Sequence, residues 1–189
     1  MTSQAIPQLI AREEYLALEE HSPLRHQFYQ GEIFAMAGGS FNHSAIAGNL
    51  YLALGERLRG GPCRPMNSDM RIHTPSGLDT YPDLSLFCGQ PELTDQQRTL
   101  LNPVLIVEVL SPSTRNYDRG DKFFHYRSIP TLRDYLLVDA ASISVEHFRR
   151  SSDGEEWVLH HYQRLEERLP LPALESELPL AEIYAAIQF

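Results

Sequence analysis

Between residues 43 and 58 the apolar positions Ile46, Leu50, Ala53, Leu54 and Leu58 recur with the helical period, which predicts a helix packed along one face. Ser40 or Asn42 is placed to cap its start, and Gly60-Gly61-Pro62 to stop it. A different rhythm runs over residues 104–110, which are apolar except for Glu108. A short run of that kind predicts a strand buried on both faces. Around these two segments the pattern predicts a short acidic helix over 11–20 and a hairpin over 26–36 that turns at Gln30-Gly31. Further strands are expected over 64–73, 81–87, 135–138 and 144–148, with a helix over 118–128. A Pro- and Leu-rich tail over 169–179 leads into a last helix over 181–187. This order predicts an α/β fold: a mixed central β-sheet flanked by helices, with the 104–110 strand in the middle. The chain reads as a single domain over 1–189, divided into an N-terminal helix and hairpin (1–40), a core (41–150) and an acidic C-terminal extension (151–189).

With 189 residues, 42% of them hydrophobic and 22% charged, the chain has enough apolar surface to bury a core. No run of eighteen apolar residues occurs, so no membrane span is expected. Residues 1–7 lack a basic segment followed by an apolar one, so no secretory leader is expected either. Cys63 and Cys88 show no C-x-x-C spacing. Each is expected to stand alone, which points to a reducing, cytoplasmic setting.

The net charge of −9 is unevenly spread. Residues 1–56 carry −4 and residues 151–189 carry −6, whereas 57–150 carry +1. Arg115, Arg119, Lys122, Arg127 and Arg133 form the densest cationic stretch. Local potential governs phosphate contact more than the total charge does, so a nucleic-acid partner is compatible with this distribution.

Three residues carry candidate chemistry. Lysine occurs once, at Lys122, among sixteen cationic residues. Where a compact ammonium is needed beside a reacting group, the guanidinium fork is no substitute. Glu108 interrupts an apolar strand, on the face it shares with Val104, Ile106 and Leu110. An unpaired carboxylate there would be heavily penalised, so a proton, a cation or a metal must neutralise it. Asp83 follows Pro82 at the entry to a predicted strand, and facing carboxylates on neighbouring strands can share one divalent cation. A helix packed back on the strand end would aim Lys122 at the two carboxylates. They would raise its pKa and keep it an ammonium. The bland alternatives are a buried glutamate bonded to an arginine and a solvated Asp118–Lys122 ion pair.

Several strings resemble the Uma2 (DUF820) proteins. They are Pro82-Asp83, the segment Ile106-Val107-Glu108-Val109-Leu110-Ser111-Pro112-Ser113-Thr114, Asp118-Arg119-Gly120-Asp121-Lys122, Tyr126-Arg127, Ile129-Pro130 and Tyr135-Leu136-Leu137-Val138-Asp139. That family looks like a branch of the PD-(D/E)XK nucleases, which implies a restriction-endonuclease-like core. In that superfamily an Asp and a Glu bind Mg²⁺, and a Lys two residues after the Glu assists water. Leu110 occupies that position here, so the resemblance implies that the lysine role has moved to Lys122. Glu32 matches a recurring Gly-Glu of the family and is a candidate additional catalytic carboxylate, with Glu56 as its competitor.

The resemblance and the residues together predict an endonuclease that hydrolyses DNA phosphodiester bonds with Mg²⁺ or Mn²⁺. Asp83, Glu108 and the carbonyl of Val109 would hold the metal, Lys122 would position water, and Arg115, Arg119 and His43 would contact substrate. An inactive nuclease-fold module binding nucleic acid or protein is the alternative. A glycosidase using Asp83 and Glu108 as its acid and nucleophile is a third reading, and it leaves Lys122 without a role. Cutting both strands of a duplex with one site per chain is easiest for a two-fold homodimer, for which the apolar stretch 169–180 offers a contact surface.

Overall fold

The computed structural model describes residues 9–36 and 38–189; the stretch 1–7, in which no secretory leader is expected, lies outside them. The central layer is a mixed six-stranded sheet. In spatial order its strands are β12 (Trp157–Tyr162), β11 (Val145–Arg150), β10 (Asp134–Asp139), β9 (Leu105–Leu110), β6 (Leu84–Cys88) and β3 (Cys63–Asn67). β9 runs parallel to β10 and antiparallel to β6, so the mixed sheet is built around the strand expected at its centre. Every residue of β9 is buried, and its two faces serve different cores.

Leu105, Val107 and Val109 pack with α2 (Phe41–Arg57). Ile106 and Leu110 pack with Tyr126, Ile129, Leu132 and Tyr135 on the other side. Each such side chain contributes about 1.5–3 kcal/mol on burial. Val104 precedes the strand and packs against the α2 side, apart from Ile106 and Leu110.

The helix following β9, α3, spans 115–126. It opens as α-helix over Arg115–Tyr117, passes through a turn of π-helix over Asp118–Lys122, and closes as α-helix over Phe123–Tyr126. It therefore begins and ends a little earlier than the pattern predicted. Ser40 caps α2 by accepting a hydrogen bond from the His43 N–H at 3.2 Å.

A second six-stranded sheet, ordered β2 (Glu32–Ala35), β1 (His26–Tyr29), β5 (Asp79–Thr80), β4 (Arg71–His73), β8 (Thr99–Leu100) and β7 (Leu93–Thr94), was not expected. The N-terminal hairpin belongs to it, and α1 (Arg12–His21) lies against β1. The β1–β2 turn takes positive φ at both Gln30 and Gly31, the geometry that matches strand twist in a two-residue hairpin. The single strand predicted over 64–73 is two strands, β3 and β4, divided between the sheets.

The C-terminal residues are part of the same core. β12 completes the central sheet. The hairpin β13 (Arg168–Leu171) and β14 (Ser176–Pro179), with α4 (Leu180–Ile183), buries Leu169, Leu171, Leu174, Leu178 and Leu180 against α2. The apolar stretch expected to face a second subunit is therefore spent inside the chain's own core and is not a contact surface.

The two cysteines do not stand alone. Pairing of β3 with β6 sets Cys63 directly opposite Cys88, and a disulfide joins them. Their separation of 25 residues conceals a cross-strand register that only the fold reveals. The reducing compartment read from cysteine usage loses its basis with this bond. A loop of that length should add about 3 kcal/mol by restricting the unfolded chain. Reduction, or Cys88→Ser, is therefore expected to lower Tm by roughly 10 °C. An unchanged melt after confirmed reduction would count against any stabilising role.

Candidate active site

β6 covers β9 only from Leu105 to Val107, ending at the Leu84–Val107 pair. Past that point the edge of β9 would be open. Asp83, the residue just before β6, closes it by accepting a hydrogen bond from the Val109 N–H at 2.7 Å. In an extended strand the N–H and C=O of one residue point to the same side, so the Val109 carbonyl also faces Asp83.

One residue earlier, Glu108 turns to the opposite face, toward α3. There Lys122 Nζ lies 2.8 Å from Glu108 Oε1 and 3.4 Å from Asp118 Oδ1. The Tyr126 hydroxyl donates to the same Glu108 oxygen at 2.7 Å. Asp118, Lys122 and Tyr126 are spaced by four and occupy one face of α3. The π turn holds the first two at its ends, and π-turns inside helices recur at functional sites. Tyr135 on β10 fixes that turn from below by donating to the Asp118 carbonyl at 2.9 Å.

The electrostatics follow from burial. Glu108, at 4% exposure, is pushed up to about 8 by desolvation, with Lys122 pulling the other way and the charges of Asp118 and Asp83 adding to the rise. Desolvation is also the largest influence on Lys122, and it favours the neutral amine. Glu108, Asp118 and Asp83 together outweigh it and raise the lysine pKa. Lys122 is therefore an ammonium at neutral pH. Tyr126 is held far above the ordinary phenol range by burial and then by Glu108, so its hydroxyl keeps its proton and donates.

Asp83, Glu108, Asp118 and Lys122 line a cavity of about 510 Å³ whose mouth carries Ser111, Ser113 and Thr114, with Tyr126 behind the lining. His43, near the start of α2, also lines it, with Nε2 3.2 Å from Asp83 Oδ2. That contact raises the imidazole pKa against the opposing effect of burial. Gly39 is required beside it, since a Cβ there would lie 2.4 Å from the His43 ring.

Among the residues expected at the site, Asp83, Glu108, Val109, Lys122, His43 and Arg115 all line this cavity. Arg115 reaches it while paired to Asp139 at 2.9 Å. Arg119 lies outside, bound through two nitrogens to Glu146. Glu32 is exposed at the hairpin end, and Glu56 is exposed on α2; neither is in the lining. Gln27 of β1 is, and it accepts a hydrogen bond from Tyr117 at 3.3 Å. Tyr126 was missed by sequence reasoning, although the four-residue spacing from Lys122 places it on the same helix face.

The donors suit a hard divalent ion. They are two carboxylates and a carbonyl, all oxygen, in a cavity open to water. Among the described residues no three His, Cys, Asp or Glu side chains converge. The protein thus offers the one or two carboxylates with which Mg²⁺ is commonly held, leaving positions for water and phosphate. A larger recess of about 660 Å³ lies beside α1. Its Arg25, Arg71 and Arg98 are each paired to a carboxylate, so it lacks a comparable reactive cluster.

The Uma2 family profile, described as "Putative restriction endonuclease", matches residues 12–181. The chain is 38% identical over 181 residues to the Synechocystis sp. protein slr1290, covering 95% of this chain and 94% of that one. It is 37% identical over 157 residues to sll1609 of the same organism, covering 82% and 88%. Its fold matches the crystal structure of "a putative nuclease belonging to DUF820" from Anabaena variabilis with a TM-score of 0.78 and 17% identity, over 95% of this chain and 99% of that one.

Proposed function

The chain belongs to the Uma2 family, and from that premise we propose that it is an endonuclease hydrolysing DNA phosphodiester bonds with Mg²⁺ or Mn²⁺. One observation carries the reading: the only lysine of the chain is buried against Glu108 in the same cavity as Asp83. Asp83, Glu108 and the Val109 carbonyl would hold the ion. When bound, the ion supplies Lewis acidity toward the phosphoryl oxygens and lowers the pKa of water.

The chain's own groups do the rest. Lys122, fixed as a cation, donates to the attacking water and offsets charge developing on the phosphorane-like transition state. Its raised pKa makes it an orienting donor and not a general base. Tyr126 and Asp118 hold the carboxylate and the ammonium in register, and neither needs to contact substrate. The Ser111–Thr114 hydroxyls and Arg115 at the mouth are placed to take non-bridging phosphate oxygens. Glu32 would join only if the N-terminal hairpin moved toward the cavity on binding. The nuclease family fits this activity in the cytoplasm, although the Cys63–Cys88 bond gives no support to a reducing compartment. For double-strand scission we assign it to a two-fold dimer formed through a surface other than the buried 169–180 stretch.

The alternative, a binding module without catalysis, also has a specific observation behind it. Glu108 is already satisfied by Lys122 and Tyr126, and Asp83 by Val109 and His43, so the fold holds its carboxylates without an ion.

Metal titration separates the two readings. Calorimetry with Mn²⁺ should show one weak site in the wild type, lost in Glu108→Gln. Plasmid nicking should require Mg²⁺ or Mn²⁺ and stop with EDTA. Equal Mn²⁺ binding by both proteins, with no cleavage under either metal, would move the binding module ahead.

A further inference from the structure

Most arginines of this acidic chain are neutralised. Among the described residues, ten of the fifteen form ion pairs with carboxylates. Of the five that do not, three gather at one place: Arg127, Arg133 and Arg150. Arg133 and Arg150 sit side by side because β10 and β11 pair antiparallel, and the Arg150 N–H donates to the Arg133 carbonyl at 2.8 Å. Their mutual repulsion contributes to lowering the Arg150 pKa, after burial.

Aromatic rings are interleaved with these charges. The Arg127 guanidinium lies 4.9 Å from the Phe124 ring centroid, and that of Arg150 lies 4.8 Å from the Trp157 centroid. Phe124 is 53% exposed. Its neighbour Phe123 turns inward, stacked on Tyr135 and edge-on to Trp157, whereas Phe124 meets the His125 ring edge-on and leaves much of its own surface open. Phe124, Arg127, Arg150 and Trp157 line a shallow depression of about 390 Å³, to which Glu155 brings the one carboxylate, and Arg133 lies just outside it, beside Arg150.

We propose that this Arg–aromatic depression is a docking surface for the unpaired bases of single-stranded nucleic acid. The inference rests on the nuclease reading for its substrate class. Unpaired cations answer the phosphate backbone. The exposed Phe124 ring and the half-buried Trp157 ring, each topped by a guanidinium plane, offer stacking to unpaired bases of any sequence, which a duplex does not present.

Position supports the same occupant. Arg133 lies at one end of β10, and Asp139, partner of Arg115 at the catalytic cavity, lies at the other. Six strand steps separate them by about 20 Å. At about 3.4 Å per nucleotide, one strand would cover that distance with roughly six nucleotides. A strand held beside Arg133 would thus place a phosphate near Arg115, at the cavity, about six nucleotides away.

Trp157 is the only tryptophan, so intrinsic fluorescence reads this surface directly. The experiment titrates the intact protein in EDTA with oligothymidine of twelve nucleotides, and separately with a duplex of the same length. We expect quenching by the single strand and at least tenfold weaker binding of the duplex. Phe124→Ala should weaken single-strand binding about tenfold, in line with the loss of one stacked base. The double variant Arg127→Ala/Arg133→Ala should reduce the salt slope by about 1.4. All three residues are exposed, so circular dichroism and Tm should not change.

The proposal is overturned if the single strand gives no quenching at low salt, if the duplex binds equally well, or if Phe124→Ala binds as wild type does. Because EDTA removes catalysis, absence of nuclease activity leaves this test intact. Metal-dependent cleavage with no Trp157 response would overturn the docking surface alone.

Discussion

Lys122→Met is expected to destabilise the protein by about 3–5 kcal/mol, the magnitude seen when one partner of a buried ion pair is removed. Methionine fills much the same volume, so the loss is electrostatic. Glu108 and Asp118, both nearly excluded from water, would keep their desolvation penalty and lose the cation 2.8 and 3.4 Å away. The effect must depend on pH with a definite sign. Glu108 in the folded wild type is raised from 4.5 to about 8. The stability it contributes is therefore fully present below pH 4.5 and is lost as pH rises through about 8. Without Lys122 its pKa moves higher still. The gap between variant and wild type should accordingly stay constant from pH 4.5 to about 7 and widen as pH rises through 8, where Glu108 ionises in the wild type but not in the variant. Adding Glu108→Gln to Lys122→Met removes a carboxylate that is stranded once pH exceeds its raised pKa, and should recover part of the stability there. Urea melts of the four proteins form a double-mutant cycle. Strict additivity would show that the Lys122–Glu108 contact carries no coupling. Lys122→Arg keeps the charge, yet its planar fork does not fit between two carboxylates and a phenol, so hydrolysis should fall although the charge is retained.

The parts of this site legible from sequence are those where one residue contradicts its surroundings. A carboxylate inside an apolar strand had to be buried and compensated, and a lone lysine one turn into the next helix was available to do so. What sequence left hidden depends on which strands become neighbours. β5, β7 and β8 are two residues long, too short for alternation to show, so half of the second sheet gave no signal. β12 lies at the sheet edge with no fully buried position, and its Trp157-Val158-Leu159 run does not alternate with polar residues, so period two does not show. Cys63 and Cys88 meet only because β3 and β6 pair in one particular register. The leucines of 169–180 were correctly apolar, but periodicity does not tell whether such a surface is covered by the chain's own α2 or by a second copy. Tyr126 looks like a core aromatic until the strand beneath it is known to carry Glu108. The distinction between Arg115, which reaches the cavity, and Arg119, which is held by Glu146, is likewise set by β10 and β11 and not by α3.

Asp83→Asn is expected to lower any metal-dependent cleavage by about 10³-fold while leaving the fold intact, and the reason lies in the double duty of this side chain. One duty is structural: its Oδ2 accepts the Val109 N–H at 2.7 Å and closes the open edge of β9. Asparagine retains a carbonyl oxygen at that place and can accept the same hydrogen bond, so β9 and the position of Glu108 should be preserved. The other duty is to bring negative charge to the ion and to His43 3.2 Å away, and only this charge is lost. A change in charge at constant shape therefore isolates the catalytic role. Loss of a single transition-state electrostatic contact commonly amounts to about 10²–10³ in rate, and here the site would lose one of its two carboxylates. Mn²⁺ affinity measured on the same variant should fall in parallel, and Tm without metal should stay within a few degrees of wild type. Asp83→Ala supplies the contrast: it removes charge and acceptor together, leaves the Val109 N–H unpaired, and should cost about 1–3 kcal/mol of stability as well. If Asp83→Asn cleaved at the wild-type rate, Asp83 would be a strand cap and nothing more, and the metal would have to be sought elsewhere.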